Sequence, residues 1–300
     1  MIISKVVFMS KTILIFLFSL FCLSSAIADD LNSKASEKIS SGIANLIPGE
    51  GVTEVSVEIT DETSDDPDFS ILALRDLSST DNSNFFTQFS LGNTMVSSEP
   101  RIAGNLGFGY RILNSENTFM FGLNSFYDYD FDAEHERASI GLELKGSILD
   151  LSANKYQKLS NMIVVDGREE QVLSGWDVNL ASQIPHMPWA IFNVKGYSNE
   201  AEKAVNDSDG VKYSFEAALT PTVQFDISLD DSKIDGEEDV YSANLNFVYP
   251  PRENKKTLQD GLTSEDAFEK ENMEGKLREK VRRNNKLVVE IQGAVIVTSK

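Results

Sequence analysis

Residues 101–113 read RIAGNLGFGYRIL. On an extended chain Ile102, Gly104, Leu106, Phe108, Tyr110 and Ile112 share one face, and Arg101, Ala103, Asn105, Gly107, Gly109 and Arg111 share the other. One face is apolar and aromatic; the other is small or polar. Residues 119–131 repeat the pattern, with Phe119, Phe121, Leu123, Ser125, Tyr127, Tyr129 and Phe131 against Met120, Gly122, Asn124, Phe126, Asp128 and Asp130. Ala138, Ile140, Leu142 and Leu144 then oppose Ser139, Gly141, Glu143 and Lys145, and later Val223, Phe225, Ile227 and Leu229 oppose Thr222, Gln224, Asp226 and Ser228. Period-2 alternation bounded by Asn, Asp, Ser, Gly and Pro clusters predicts consecutive antiparallel strands.

About twelve such strands are expected, near residues 51–60, 67–77, 84–94, 101–113, 119–132, 135–146, 149–160, 171–185, 189–198, 211–220, 221–231 and 238–249. A soluble β-sandwich also alternates. Here the polar face carries charges and glycines too regularly for ordinary solvent-facing strands, and aromatics stand at strand ends, where a membrane interface places them. Joins near 114–117, 146–148, 185–188 and 220–221 are tight, whereas those near 161–170, 199–210 and 230–239 are long and polar. Short and long joins that alternate belong to a transmembrane barrel, with periplasmic turns at one rim and extracellular loops at the other. The fold class expected is all-β, an antiparallel transmembrane β-barrel of about twelve strands.

The 300 residues carry 27 Lys and Arg against 47 Asp and Glu, a formal charge of −20, which excludes a sequence-independent nucleic-acid binder because such binding needs a basic face. At the amino terminus Lys5 and Lys11 precede an apolar stretch, residues 12–23, and Ala26-Ile27-Ala28 supplies the small residues of a cleavage site. Residues 1–28 are read as a signal peptide, since about 12 apolar residues are too few to cross about 30 Å of hydrocarbon as a helix. A lipoprotein site at Cys22 is disfavoured by the bulky Phe21 before it. Cleavage leaves a mature chain with no cysteine, so its stability rests on a sheet, a core or a lipid environment rather than on disulfides. Residues 29–50 are read as a short periplasmic lead-in, 51–250 as the barrel, 251–284 as a pore or linker helix and 285–300 as a strand-like tail.

RIAGNLGFGYR at 101–111, FGLNSFYDYDFD at 121–132, LSANKY at 151–156 and SGWDV at 174–178 resemble the inverse autotransporter β-domain, the barrel of intimin and invasin. The resemblance covers roughly residues 84–289, and the FYDYDFD run is its most specific part. KVRRNNKLVVE at 280–290 is similar to the segment in which that family's pore-threading helix hands over to an exported passenger. The resemblance implies twelve strands, both barrel ends in the periplasm, export of a carboxy-terminal adhesin and location in the Gram-negative outer membrane. Past the linker, residues 287–298 are one strand-like apolar run, so no passenger domain is expected before Lys300 and adhesion is not carried over.

Charge sets the tail apart. Residues 29–251 hold 14 Lys and Arg against 38 Asp and Glu; residues 252–300 hold 11 against 9. Thr263 with Asp266 offers a helix cap, and Met273, Leu277 and Val281 repeat every four residues on an otherwise charged segment. A helix over residues 264–283 is expected, about 30 Å long at 1.5 Å per residue, standing in an acidic pore. Its cations Lys276, Arg278, Lys280, Arg282 and Arg283 are expected to meet lumen carboxylates among Asp128, Asp130, Glu143, Asp177, Glu216 and Asp226. A solvated tail outside the pore is the competing reading. On the last strand Leu245, Phe247 and Tyr249 alternate, resembling the aromatic terminal signal read by the barrel assembly machinery, with Asn244 where that signal often has Gly.

No catalytic, cofactor or metal site is expected. His135 and His186 are the only histidines, neither has a second ligand at a metal-site spacing, and both are read as turn residues. Asp128, Asp130 and Asp132 begin like a calcium loop, but Ala133 and Ser139 stand where that loop needs Gly and Glu. Gly104, Gly107 and Gly109 lie inside a strand with no helix following, which excludes a phosphate cradle and leaves close packing in a curved wall. The partners expected are outer-membrane lipid and lipopolysaccharide, the latter bridged by divalent cations at acidic outer loops, and the assembly machinery. Two functions stand side by side: an export and anchoring barrel, or a stand-alone porin-like or structural barrel.

Overall fold

The alternating segments pair edge to edge until no edge is left. The computed structural model describes residues 42, 47–61, 66–97, 99–233, 239–252, 255–270 and 273–292, with the backbone of 294–296. The signal peptide and most of the lead-in expected at 1–50 lie outside the described residues.

The strands are β1 (Gly51–Thr60), β2 (Asp68–Thr80), β3 (Ser83–Val96), β4 (Glu99–Leu113), β5 (Phe119–Asp130), β6 (Glu136–Gly146), β7 (Leu149–Lys158), β8 (Ile163–Val165), β9 (Arg168–Val172), β10 (Ser174–Ile184), β11 (Met187–Glu200), β12 (Ser208–Ala218), β13 (Val223–Ser232), β14 (Val240–Tyr249), β15 (Val289–Ile291) and β16 (Ala294–Ile296). Twelve of them close a barrel in the order β1-β14-β13-β12-β11-β10-β7-β6-β5-β4-β3-β2. Closure is antiparallel, with Thr53 opposite Tyr249 and Thr60 opposite Ser242. A closed sheet leaves no unpaired backbone group in hydrocarbon, the condition for crossing a membrane with strands.

The two faces are inverted relative to a soluble protein. Leu106 and Phe108 are each 50% exposed, and Phe119, Phe121, Leu123, Ile140 and Leu142 are exposed as well, while Arg111 and Asp128 are fully buried in the lumen. The exterior is therefore matched to lipid and the interior is polar. Gly107 and Gly109 face inward. A Cβ there would stand 2.3 Å from the Phe126 ring and 2.3 Å from the Phe86 ring, so these glycines let both rings lie against the wall.

Strand direction sorts the joins. Turns at 81–82, 114–118, 147–148, 185–186 and 219–222 share one rim with both ends of the barrel. Loops at 159–173, 201–207 and 233–239 share the other. All twelve expected strands are present, but the one placed at 171–185 begins within the β8–β9 hairpin, which the β7–β10 connection adds above this long-loop rim.

The expected helix over 264–283 does not form. The described tail holds a 3-10 turn at Leu258–Asp260 and a single helical turn, α1 (Met273–Lys276). Thr263 and Asp266 make no helix cap; the capping box is instead formed by Thr257 and Asp260. The strand-like end is also more than one run: β15 and β16 join β9 and β8 in a second, four-stranded sheet of order β16-β15-β9-β8.

Candidate functional site

The tail leaves β14 at the short-turn rim and stays there through residue 270. Arg252 N–H donates to the Pro221 carbonyl, Ser264 N–H donates to the His186 carbonyl at 2.9 Å, and Trp189 Nε1 donates to the Leu262 carbonyl at 2.8 Å. It then turns inward. Met273 and Leu277 pack on Leu113 and Met120; Val281 packs among Leu74, Phe86 and Phe126; Leu287, Val289 and Ile291 reach Val96 and Val172 at the long-loop rim. The chain thus runs the length of the lumen. Beyond Glu279 it has no helix: residues 280–288 bend at Arg283 and Lys286 and lead into β15.

The wall explains why the segment need not be a helix. Main-chain bonds within the segment join Leu277, Arg278 and Glu279 to Glu274, Gly275 and Lys276, and beyond them its main-chain groups meet lumen side chains from β3 to β7. Arg111 and Asn84 donate to the Leu277 carbonyl at 3.0 and 3.3 Å, Gln88 Oε1 accepts from Val281 N at 2.8 Å, and Asn154 donates to the Arg282 carbonyl at 2.9 Å. Tyr156 Oη accepts from Asn284 N at 2.7 Å, while Arg137 and Asn105 donate to the carbonyls of Asn284 and Asn285.

All five expected tail cations pair with the wall. Lys276 reaches Asp150 on β7 at 2.7 Å, Arg278 reaches Asp76 on β2 at 2.6 Å, and Lys280 pairs with Glu54 on β1. Arg282 makes a two-point pair with Glu216 on β12, and Arg283 reaches Asp128 on β5 at 2.7 Å. From Lys280 to Arg283 successive side chains leave in opposite directions. Lys280 and Arg282 go to β1 and β12, whereas Val281 and Arg283 go to the side of β3 and β5. Arg283 also lies 4.3 Å from the Phe126 ring centroid, the ring that Gly107 accommodates.

Of the six carboxylates expected to receive the tail, Asp128 and Glu216 do so. The other four serve the wall or its rim: Glu143 pairs with Arg111 at 2.9 Å, Asp177 accepts from Asn154 and Tyr156, and Asp226 accepts from Asn246 and Gln224. Asp130 lies 3.6 Å from Arg101 and accepts main-chain N–H groups from Asp132 and Ala133. Sequence reasoning missed Glu54, Glu58, Asp68, Asp76 and Asp150 on the wall, and Lys286, which pairs with Glu58 and Asp68 at 2.8 and 2.6 Å. The alternation of β1 already carried part of this signal, since Glu54 and Glu58 share its inward face. Leu245, Phe247 and Tyr249 form the alternate, outward set on β14, between the inward, buried Asn246 and Val248.

At the long-loop rim His135 is no simple turn residue. It is fully buried, and Nε2 lies 3.1 Å from Glu170, which also accepts a two-point pair from Arg101. Burial works against the Glu170 charge, but hydrogen bonds from Arg101 and His135 outweigh it and hold the carboxyl down at about 2. His186 does occupy a turn, with φ of 61°. Between the tail and the wall of β1–β4 and β10–β14 remains a cavity of about 300 Å³, with Lys195, Lys212, Asp226, Ser228 and Asn244 among its lining residues.

A closed twelve-stranded barrel with a lipid-matched exterior, threaded by its own carboxy-terminal segment, defines an outer-membrane barrel of the self-threaded kind. Residues 22–285 match the family model described as inverse autotransporter, beta-domain, and the chain belongs to that family. It is 27% identical over 301 residues to the inverse autotransporter adhesin YeeJ of Escherichia coli (strain K12), covering 91% of this chain and 12% of that protein. It is 28% identical to the putative attaching and effacing protein homolog of the same strain, over 55% of each, and 29% identical to invasin of Yersinia enterocolitica over 35% of this chain and 12% of that one. The chain thus spans a small part to about half of these relatives' length. A solved structure from a study of in-meso crystallization of membrane proteins superimposes with a TM-score of 0.64 at 18% identity, over 80% of this chain and 99% of that one, a likeness of fold. The protein is an outer-membrane β-barrel of Gram-negative type.

Proposed function

We propose that this barrel anchors an inverse autotransporter in the outer membrane and conducts its carboxy-terminal part to the cell exterior, the tail left in the lumen then closing the pore. One observation carries the reading: both barrel ends lie on the short-turn rim, yet the chain crosses the lumen and emerges at the long-loop rim. In this reading the short-turn rim is periplasmic and the long loops are extracellular. The role is mechanical rather than enzymatic, with lumen carboxylates and cations spent on holding the tail. Leu245, Phe247 and Tyr249 are the surface offered to the barrel assembly machinery, the apolar belt meets lipid, and acidic outer loops meet lipopolysaccharide through divalent cations.

Removing residues 252–300 tests it. The truncated barrel, still heat-modifiable on a gel, is expected to conduct markedly more in a planar bilayer than the full chain, because an extended plug and its ion pairs have been withdrawn from a polar lumen. Equal conductance of the two forms overturns the reading and favours a porin-like or structural barrel.

A further inference from the structure

Where the tail emerges, a carboxylate meets a receptor made of backbone. Glu290, the central residue of β15, is 2% exposed, although it lies at the mouth of the pore among exposed loops. Three consecutive main-chain N–H groups of the β11–β12 loop point at it: Glu202 donates to Oε2 at 2.7 Å, and Lys203 and Ala204 donate to Oε1 at 2.8 and 2.9 Å. Among the described residues no Lys or Arg forms an ion pair with it, so its charge is met by amide dipoles alone. Successive N–H groups converging in this way form a concave anion site. The loop side chains contribute little to this, since Glu202, Lys203 and Val205 are exposed, Val205 at 97%. The loop is pre-shaped by its own Asp207, whose carboxylate accepts from Ala201 N at 2.8 Å.

We infer that the amides of residues 202–204 are a carboxylate-binding site that takes Glu290 of the threaded chain and fixes the register at which that chain stops. The inference rests on the threaded reading above and deepens it. Ion pairs inside the lumen are poor at setting register alone, because tail cations and wall carboxylates occur at many heights and can exchange partners. The amide site lies outside the lumen and becomes occupied only when residue 290 has cleared the barrel. Two further contacts lock the same register along one edge of β15: its ladder with β9, where Glu290 faces Gln171, and the bond from Gln292 N to the Glu169 carbonyl at 2.9 Å. Loop β11–β12 and hairpin β8–β9 thus grip one strand from two directions. Lys203 Nζ on Glu169, at 2.6 Å, ties the two grips together.

Amide hydrogen exchange on the full-length chain in detergent tests this. In the wild type the amides of Glu202, Lys203 and Ala204 are expected to exchange slowly despite their exposed loop. In Glu290→Ala they are expected to exchange about tenfold faster or more, while amides of β4 to β6 stay as protected as before. Glu290→Gln keeps the shape but loses the charge and one acceptor oxygen, and is expected to fall between the two. Unchanged protection at 202–204 in both variants overturns the carboxylate site, because the loop would then hold itself. That result is distinct from failure of the threaded reading, which is decided by the conductance of the barrel lacking residues 252–300.

Discussion

Asp128 shows what one carboxylate does in this lumen. It accepts from Arg283 of the tail at 2.7 Å, from Arg137 at 2.9 Å and from Asn105 at 2.8 Å, with no exposure of its own. Breaking such a cluster leaves a buried charge unpaired, at a cost of about 3–5 kcal/mol, far above the value of a surface pair. Glu170 plays the corresponding part at the long-loop rim, binding Arg101 and His135. Its carboxyl is held at about 2, below the ordinary 4.5, so the folded state prefers the charged form. Stability from this group is full above pH 4.5 and is lost as pH falls through about 2. Methyl signals of Val172 and Val289, which pack together above the pore, are expected to shift with a midpoint near the lower value and to stay flat in Glu170→Gln. A wild-type midpoint near 4.5 would show that Arg101 and His135 do not hold the carboxylate in solution.

Among the elements, β14 has the most exacting position. It must pair with both β13 and β1 to close the barrel, and its outward set is Leu245, Phe247 and Tyr249. Phe247→Asp with Tyr249→Asp places two carboxylates on the lipid face beside the closing seam. The penalty is a few kcal/mol in total, with loss of any recognition that reads the aromatic pattern. Heat-modifiable barrel is expected to disappear from outer-membrane fractions. Normal assembly of the double variant would remove the terminal strand from the proposed signal. The tail is the other instructive element. Met273, Leu277 and Val281 predicted a helical stripe, and all three are buried, yet the helix is the single turn Met273–Lys276 and Val281 is carried to its cluster by a chain without helix.

For the whole molecule, the arrangement of rims makes a topological prediction. An epitope inserted beside Asp207, on the long-loop rim, is expected to be accessible on intact cells. One inserted at 185–188, on the short-turn rim, is expected to become accessible only after the outer membrane is permeabilised. The reverse pattern would invert the barrel, and with it the direction in which the tail threads. The same arrangement gives the molecule its economy of closure, since the segment that passes through the pore also fills much of it and leaves a cavity of about 300 Å³ on one side.

The sequence by itself determined the twelve strands of the barrel, the two faces of those with the plainest alternation, such as 101–113 and 119–131, the placing of four tight and three long joins on opposite rims, and the charge contrast between wall and tail. These are local properties: alternation follows from the two-residue period of a strand, and a face that is apolar along residues 102–112 is apolar whatever it packs against. Tertiary structure decided the rest. The tail forms no helix beyond one turn because Asn84, Gln88, Arg111, Asn154 and Tyr156, all distant in sequence, satisfy its main chain, and no helix propensity registers that supply. Which carboxylate meets which cation depends on heights and directions around a closed wall, so Asp128 and Glu216 found the tail while Asp177 and Asp226 did not. The hold on Glu290 is made of backbone N–H groups that any residues would present, and only the folded loop brings them together.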